Sequence, residues 1–224
     1  MRSYSSLLCH ILGSNPEIDG YSEIHQPYRD IRDLFKLRLR VYERNNNLLE
    51  GNYILDKILH NYHISDSVLT KPSLNVIFVL RKPHDSVKSI LGMAIQQNNE
   101  RFNTAEKTSR YYVERLERME QHFSKLNSVA LFLEAERLIE DSTTVLGAIS
   151  ARLNLRAGLK SSYSIFKYTG HPQHGDPSDY ITRGKIITTK KDHSRTHIPQ
   201  HLLLRAEEAY ERCCSALLRG CVAI

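Results

Sequence analysis

Two short stretches of the chain carry the residue types that bind phosphate groups. In the first, Arg81 follows the apolar run 76–80, and Ser89 lies eight residues further on. Ligands bind at the carboxyl ends of parallel strands in open α/β sheets, and the planar guanidinium fork suits a phosphate. Arg81 and Ser89 are therefore candidates for an anion site. Alternatively, Arg81 caps the strand edge or pairs with Asp85.

The second stretch is Arg2-Ser3-Tyr4-Ser5-Ser6, at the start of a predicted short helix. The first turn of a helix has free backbone N–H groups and the positive end of the helix dipole, so it attracts anions. One arginine and three serines add donors suited to a phosphate or sulfate. A serine-rich helix start is also an ordinary capping sequence, and that alternative stays open.

These residues need helices and strands to position them, and apolar periodicity predicts the elements. The predicted helices are Ser5–Gly13, Pro27 to about Arg44, a helix from Pro83, Thr104–His122, Asp141 to about Leu153, and a helix from Pro199. The predicted strands are Asn52–Leu59, Asn75–Leu80 and Val129–Leu133. Strands separated by helices indicate a parallel sheet with crossovers, which is the α/β class.

Composition narrows the classes of protein. The 224 residues, 41% of them hydrophobic and 25% charged, predict one domain spanning 1–224. No apolar run approaches the length that spans a bilayer. Three of the four cysteines crowd the C-terminal end, and two of them are adjacent, which favours a reduced chain in the cytoplasm.

The net charge of +6 favours an anionic partner. The basic residues are dispersed and no nucleic-acid motif is present, so nucleic acid is not the expected partner. The GxxxxGK[ST] pattern of nucleotide triphosphatases is absent.

The two candidate anion sites and the order of the segments resemble the sulfotransferase family, whose donor is 3′-phosphoadenosine 5′-phosphosulfate (PAPS). Arg2-Ser3-Tyr4-Ser5-Ser6-Leu7 is similar to the family loop that binds the 5′-phosphosulfate. Arg81 and Ser89 are similar to its 3′-phosphate clamp. The stretches 12–23 and 133–141 resemble two further family segments, so the likeness spans nearly the whole chain.

The resemblance implies a P-loop-like parallel sheet flanked by helices. The family has an apolar strand before its first arginine, whereas here Arg2 follows Met1 at once, so the N-terminal strand is expected to be missing. Tyr4 stands where the family loop has glycine, and tyrosine does not readily take the positive φ that glycine allows. The expected activity is in-line transfer of the sulfuryl group from PAPS to a hydroxyl of a small molecule, glycan, lipid or protein.

The resemblance also implies the catalytic residues. Glu23 lies at the family's spacing for a glutamate base, and His25 is the alternative base. Lys57 is similar to the family lysine that stabilises the leaving group. A lysine within an apolar strand calls for an anion, although Lys57 could instead pair with Asp56 or Glu23. His60, on the same predicted strand, is a further base candidate.

A late polar loop, 168–178, has two interpretations. His171, His174 and Asp176 have the residue types of metal ligands, but Pro172 and Gly175 interrupt the helix that such a pair normally uses, so no metal is predicted. The resemblance instead implies that a late glycine-rich segment closes over the 3′-phosphate. Arg183, Gly184 and Lys185 would then contact the donor.

A different class of function stays open beside the enzyme. An N-terminally truncated sulfotransferase-like protein would bind an anionic ligand or a partner without catalysis.

Overall fold

The computed structural model describes residues 3–58, 62–171, 174–189 and 196–224. Within these residues the chain is mixed α/β, and each of its strand pairs is parallel. The eight α-helices of the described residues are α1 (Ser5–Gly13), α2 (Ile31–Arg44), α3 (Asp66–Leu69), α4 (Pro83–Gln96), α5 (Ala105–Phe123), α6 (Arg137–Glu140), α7 (Ser142–Arg152) and α8 (Gln200–Leu218). The five strands are β1 (Ile18–Asp19), β2 (Tyr53–Ile54), β3 (Ile77–Leu80), β4 (Leu131–Glu134) and β5 (Val222–Ala223).

The chain forms two compact units. The first, called here the Arg81 unit, contains the described residues of 75–136 and 189–223 together with Ser3. The second, called the Lys57 unit, contains the described residues of 4–74 and 137–188 together with Ile224. Each unit has its own parallel strands. The expectation that 1–224 is one domain stays a prediction.

The Arg81 unit is a three-stranded parallel sheet with order β3-β4-β5, accompanied by α4, α5 and α8. Ile77 pairs with Leu131 and Leu80 with Glu134, so β3 and β4 end together. Pro83 lies at the start of α4, where the missing N–H costs no hydrogen bond. A buried cluster of apolar side chains from β3, β4 and the three helices forms its core. The sheet edge where β3 ends therefore leads directly into α4.

The Lys57 unit contains the two-stranded parallel sheet β1-β2 and the helices α1, α2, α3, α6 and α7. The residues of α1 from Leu8 to Leu12 are all buried. The inner face of α2 presents Leu37 and Val41 to a core that also contains Ile24 and Tyr28. This packing fixes the start of α1 and the segment before α2, where Glu23 and His25 lie.

The α/β class, with parallel strands, is confirmed, and most element bounds are close to those predicted. The bounds of α1 are confirmed as predicted. The prediction that α2 opens at Pro27 is wrong: the helix begins at Ile31, because the side chain of Asp30 caps it by accepting from the Arg32 N–H. The predicted strand 52–59 is reduced to the two residues of β2, so Lys57 follows the strand instead of lying in it. The elements β1, β5, α3 and α6 are too short to give a periodic signal, and the pattern did not predict them.

No helix in the described part of the chain has the length and apolar character needed to cross a membrane.

Candidate functional site

The residue before α1 has a left-handed backbone conformation. Tyr4 directly precedes the helix with φ 55° and ψ 11°, in the left-handed region, so the expectation that a tyrosine would not take the conformation of glycine is wrong here. Such a residue costs roughly 1–2 kcal/mol, which the surrounding structure must offset. Ser5 and Ser6 occupy the first turn, where backbone N–H groups lack helical partners. The helix start can therefore offer N–H and hydroxyl donors to an anion.

The other two residues of this predicted loop, Arg2 and Ser3, are not placed in the Lys57 unit. Arg2 lies outside the described residues. Ser3 is buried, with 4% of its surface exposed, and it belongs to the Arg81 unit. Of the predicted loop, only Tyr4, Ser5 and Ser6 are therefore placed in the Lys57 unit.

Lys57 connects the start of α1 to Glu23. Its ammonium donates to Ser6 Oγ at 2.9 Å and lies 2.5 Å from Glu23 Oε1. Only 16% of the lysine side chain and 7% of the glutamate side chain are exposed. Between the two carboxylates that were possible partners of Lys57, the structure selects Glu23. Cation, carboxylate and helix start thus lie in direct contact within one unit.

His25 lies beside the same carboxylate. Its Nε2 is 3.5 Å from Glu23 Oε2, and its backbone takes the left-handed conformation with φ 57°. The two residues predicted as alternative bases are therefore neighbours, with the glutamate between the lysine and the histidine. His60, the further candidate, lies outside the described residues.

Asp56 positions both Glu23 and Lys57, and sequence reasoning considered it only as a counter-ion. Its Oδ1 accepts from the backbone N–H groups of Ile24 at 2.9 Å and Lys57 at 2.8 Å. Its Oδ2 accepts a short hydrogen bond from the hydroxyl of Tyr28. Burial, partly offset by these donors, raises the pKa of Asp56. The half-buried carboxyl group of Asp56 thus joins the backbone next to Glu23 to the backbone of Lys57.

His10, which sequence reasoning did not select, connects α1 to the late loop. Its ring nitrogens lie 2.8 Å from the Ser6 carbonyl and 3.0 Å from Thr169 Oγ1. The ring is 2% exposed and packs edge-on against Tyr21. Burial is the main cause that lowers the pKa of His10, so the neutral ring is favoured. A histidine inside an apolar helix was the only available signal, and it does not identify a partner 159 positions away.

The late loop approaches α1 at Gly175. A Cβ on this residue would lie 2.9 Å from Ser6 Oγ and 3.8 Å from Lys57 Nζ, and its φ of 112° also favours glycine. His174 stacks on Tyr168 with ring centroids 4.5 Å apart. Within the described ranges no group of three or more His, Cys, Asp or Glu side chains could hold a metal. Pro172 lies outside those ranges.

The three residues expected to contact the donor from the late segment are placed at a turn. Arg183 ends a short 3-10 helix, Ile181–Arg183, and Gly184 follows in the left-handed conformation with φ 67°. Lys185 pairs with Ser162 in an isolated antiparallel bridge. Arg183 and Lys185 are both exposed. Their contact with a donor stays a prediction.

In the Arg81 unit, Arg81 follows β3 at the carboxyl edge of the parallel sheet, as predicted. It is 6% exposed, and its guanidinium lies between two carboxylates, with Nη2 3.5 Å from Asp85 and Nε 3.9 Å from Glu136. Its carbonyl accepts from the Tyr112 hydroxyl at 2.6 Å. Ser89 is 7% exposed and lies in the second turn of α4. The pairing of Arg81 with Asp85, the alternative open from sequence, is present in this structure.

The chain matches no family model, no curated protein and no solved structure. The chemistry must therefore be inferred from these contacts.

Proposed function

We propose that this chain is a PAPS-dependent sulfotransferase that transfers the sulfuryl group to an acceptor hydroxyl by in-line displacement. The observation that carries the proposal is the double contact of Lys57, with Ser6 at the start of α1 and with the carboxylate of Glu23. Sulfuryl transfer needs a cation at the leaving group and a base at the acceptor. The Lys57 unit supplies both beside a helix start that suits an anion.

The proposed reaction is a single displacement at the sulfur atom. Glu23 takes the proton of the acceptor hydroxyl while the acceptor oxygen forms a bond to sulfur. The bond from sulfur to the bridging oxygen of the donor breaks, and adenosine 3′,5′-bisphosphate leaves with the electron pair. The Lys57 ammonium stabilises the charge that develops on the bridging oxygen. His25, next to Glu23, is the alternative base.

The donor carries two anionic groups, and we assign each to one candidate site. The 5′-phosphosulfate is assigned to the residues Arg2, Ser3, Tyr4, Ser5 and Ser6. The left-handed Tyr4 supports this assignment and a P-loop-like architecture, because such loops turn directly into a helix whose N–H groups face the anion.

The 3′-phosphate is assigned to Arg81 and Ser89. Contact of Arg183, Gly184 and Lys185 with the donor stays an expectation from the resemblance. The position of Arg81 at the carboxyl edge of a parallel sheet supports this assignment. The Arg81 guanidinium would exchange its contacts with Asp85 and Glu136 for bonds to the phosphate, and a bidentate arginine–phosphate pair is among the strong hydrogen-bonded arrangements.

A second candidate is a protein that binds an anionic ligand without catalysis. One observation favours it: Glu23 is buried and already paired with Lys57, which holds the proposed base in an ion pair. The two candidates differ in turnover, not in donor binding.

The proposal also includes the cellular compartment of the protein and the acceptor of the sulfuryl group. All four cysteines are free thiols, and burial raises the pKa of Cys9 to about 12, which fits an unreactive thiol in a reducing compartment such as the cytoplasm. The acceptor is a small molecule, glycan, lipid or protein with a hydroxyl group.

The test is an assay with radiolabelled PAPS against pools of phenols, glycans and lipids. We expect Glu23→Gln to lower turnover by roughly 10²- to 10⁴-fold, the usual contribution of a positioned base, with donor affinity retained. The matched control is the exposed carboxylate Glu50, whose change to Gln leaves turnover unchanged. If His25→Gln abolishes turnover and Glu23→Gln does not, the base is His25. Donor binding without transfer to any pool would favour the binding protein.

A further inference from the structure

The outer face of α2 carries a stripe of exposed apolar side chains. Ile31, Phe35, Leu39 and Tyr42 follow one another at intervals of four, four and three residues, which places them on one side of a helix. Their exposed fractions are 49%, 68%, 56% and 39%. Leu48, shortly after the helix, is 52% exposed. A continuous stripe of this kind marks an interaction surface, whereas isolated exposed apolar residues are ordinary.

Folding of the unit does not explain the stripe. The opposite side of α2 already packs into the core through Leu37 and Val41, which are 9% and 2% exposed. The helix therefore has two apolar faces, and only the inner one is covered by the described residues. Four large apolar side chains remain in water along a helix of 14 residues, about 21 Å long.

The charges around the stripe are predominantly positive. The segment 29–44 contains six arginines and lysines and three carboxylates. Asp33 is buried, with its side chain bonded to Lys36, and Asp30 caps the helix and pairs with Arg32. Arg32, Lys36 and Arg38 are exposed beside the apolar residues. An anionic surface is therefore the complementary partner.

We propose that α2 binds in the plane of a lipid bilayer that contains anionic phospholipid. Its apolar stripe would enter the boundary between headgroups and acyl chains, while Arg32, Lys36 and Arg38 contact lipid phosphates. An amphipathic helix with phenylalanine and leucine on one side and arginine and lysine beside them is the type that lies at a membrane interface. A second copy of the chain fits less well, because it would bring a second set of cations against the first. This inference does not depend on sulfotransfer.

The test is co-sedimentation of the full chain with vesicles. We expect binding to phosphatidylcholine vesicles that contain phosphatidylserine, weaker binding to phosphatidylcholine alone, and a loss of affinity at high salt. The double change Phe35→Ser and Leu39→Ser removes apolar area that would enter the bilayer, and it should weaken binding by roughly tenfold or more. Arg38→Gln should weaken it by roughly fivefold on the anionic vesicles only.

The matched control is the double change Ile95→Ser and Leu204→Ser, which removes two apolar side chains of similar exposure, 57% and 51%, from the Arg81 unit. It should leave vesicle binding unchanged. The proposal is overturned if the chain does not sediment with the anionic vesicles, or if the Phe35 and Leu39 changes have no more effect than the control. It is also overturned if analytical ultracentrifugation shows a dimer that the same two changes dissociate, because a second copy would then cover the stripe.

Discussion

Removing the lysine of the Lys57–Glu23 pair should destabilise the protein strongly. The two side chains are only 16% and 7% exposed and their charged atoms lie 2.5 Å apart. Lys57→Met would therefore leave a buried carboxylate without its counter-ion, which costs about 3–5 kcal/mol of unfolding free energy. The further change Glu23→Leu removes the carboxylate as well and should restore most of that loss.

Urea unfolding followed by circular dichroism suits this measurement, because the chain contains no tryptophan. The control is Arg32→Met, which breaks the Arg32–Asp30 contact of 2.7 Å between side chains that are 82% and 39% exposed. An exposed pair of this kind contributes little to the unfolding free energy, because water and salt screen it. If Lys57→Met costs no more than Arg32→Met, the pair is not buried as the structure describes, and the basis for a preorganised base and cation is lost.

Three further perturbations test the surroundings of this pair. Burial lowers the folded-state pKa of His10 below its ordinary 6.5, so just below that pH the unfolded chain binds more protons than the folded chain. The unfolding free energy should therefore fall as the pH drops through about 6.5. It should fall less in the His10→Gln variant. Gly175→Ala should destabilise by about 2 kcal/mol in urea unfolding, because its φ is 112° and the new Cβ would lie 2.9 Å from Ser6 Oγ. Gly147→Ala, within α7 and with nothing inside 4 Å, should instead stabilise by about 1 kcal/mol. Asp56→Ala leaves the backbone N–H groups of Ile24 and Lys57 without their acceptor, which should lower the unfolding free energy by about 1–3 kcal/mol for each group. Asp56→Asn keeps an acceptor oxygen, so an equal loss of unfolding free energy in that variant would contradict the positioning role of Asp56.

The sequence predicts most of the helices of eight or more residues to within a residue or two and the short strands poorly. The apolar spacing of α1 and α5 repeats over enough turns to locate them within a residue, and proline marks the start of α4. By contrast, β2 has only two paired residues, and the apolar residues beyond it pack without continuing the strand. Strand length depends on a partner that is distant in sequence, which local pattern does not contain.

The residues of the candidate site were likewise found only in part from the sequence. The resemblance to sulfotransferases selected Glu23, His25 and Lys57, and the structure brings these three side chains together. The supporting residues Asp56 and His10 could not be found, because their roles consist of hydrogen bonds to backbone atoms and to residues far away in the chain. A buried polar side chain has no sequence signature until its partners are known.

Calorimetric titration with adenosine 3′,5′-bisphosphate tests most directly the claim that this chain binds the PAPS nucleotide, on which the proposed sulfotransfer rests. The wild-type chain should bind the nucleotide, and Arg81→Ala and Lys57→Gln should each weaken binding by roughly tenfold or more, as expected for the loss of a charge-assisted contact to phosphate. The exposed residues Arg110 and Lys160 provide matched controls, changed to Ala and Gln, that should bind like the wild type. No heat of binding, or an affinity that Arg81→Ala leaves unchanged, would contradict the proposal.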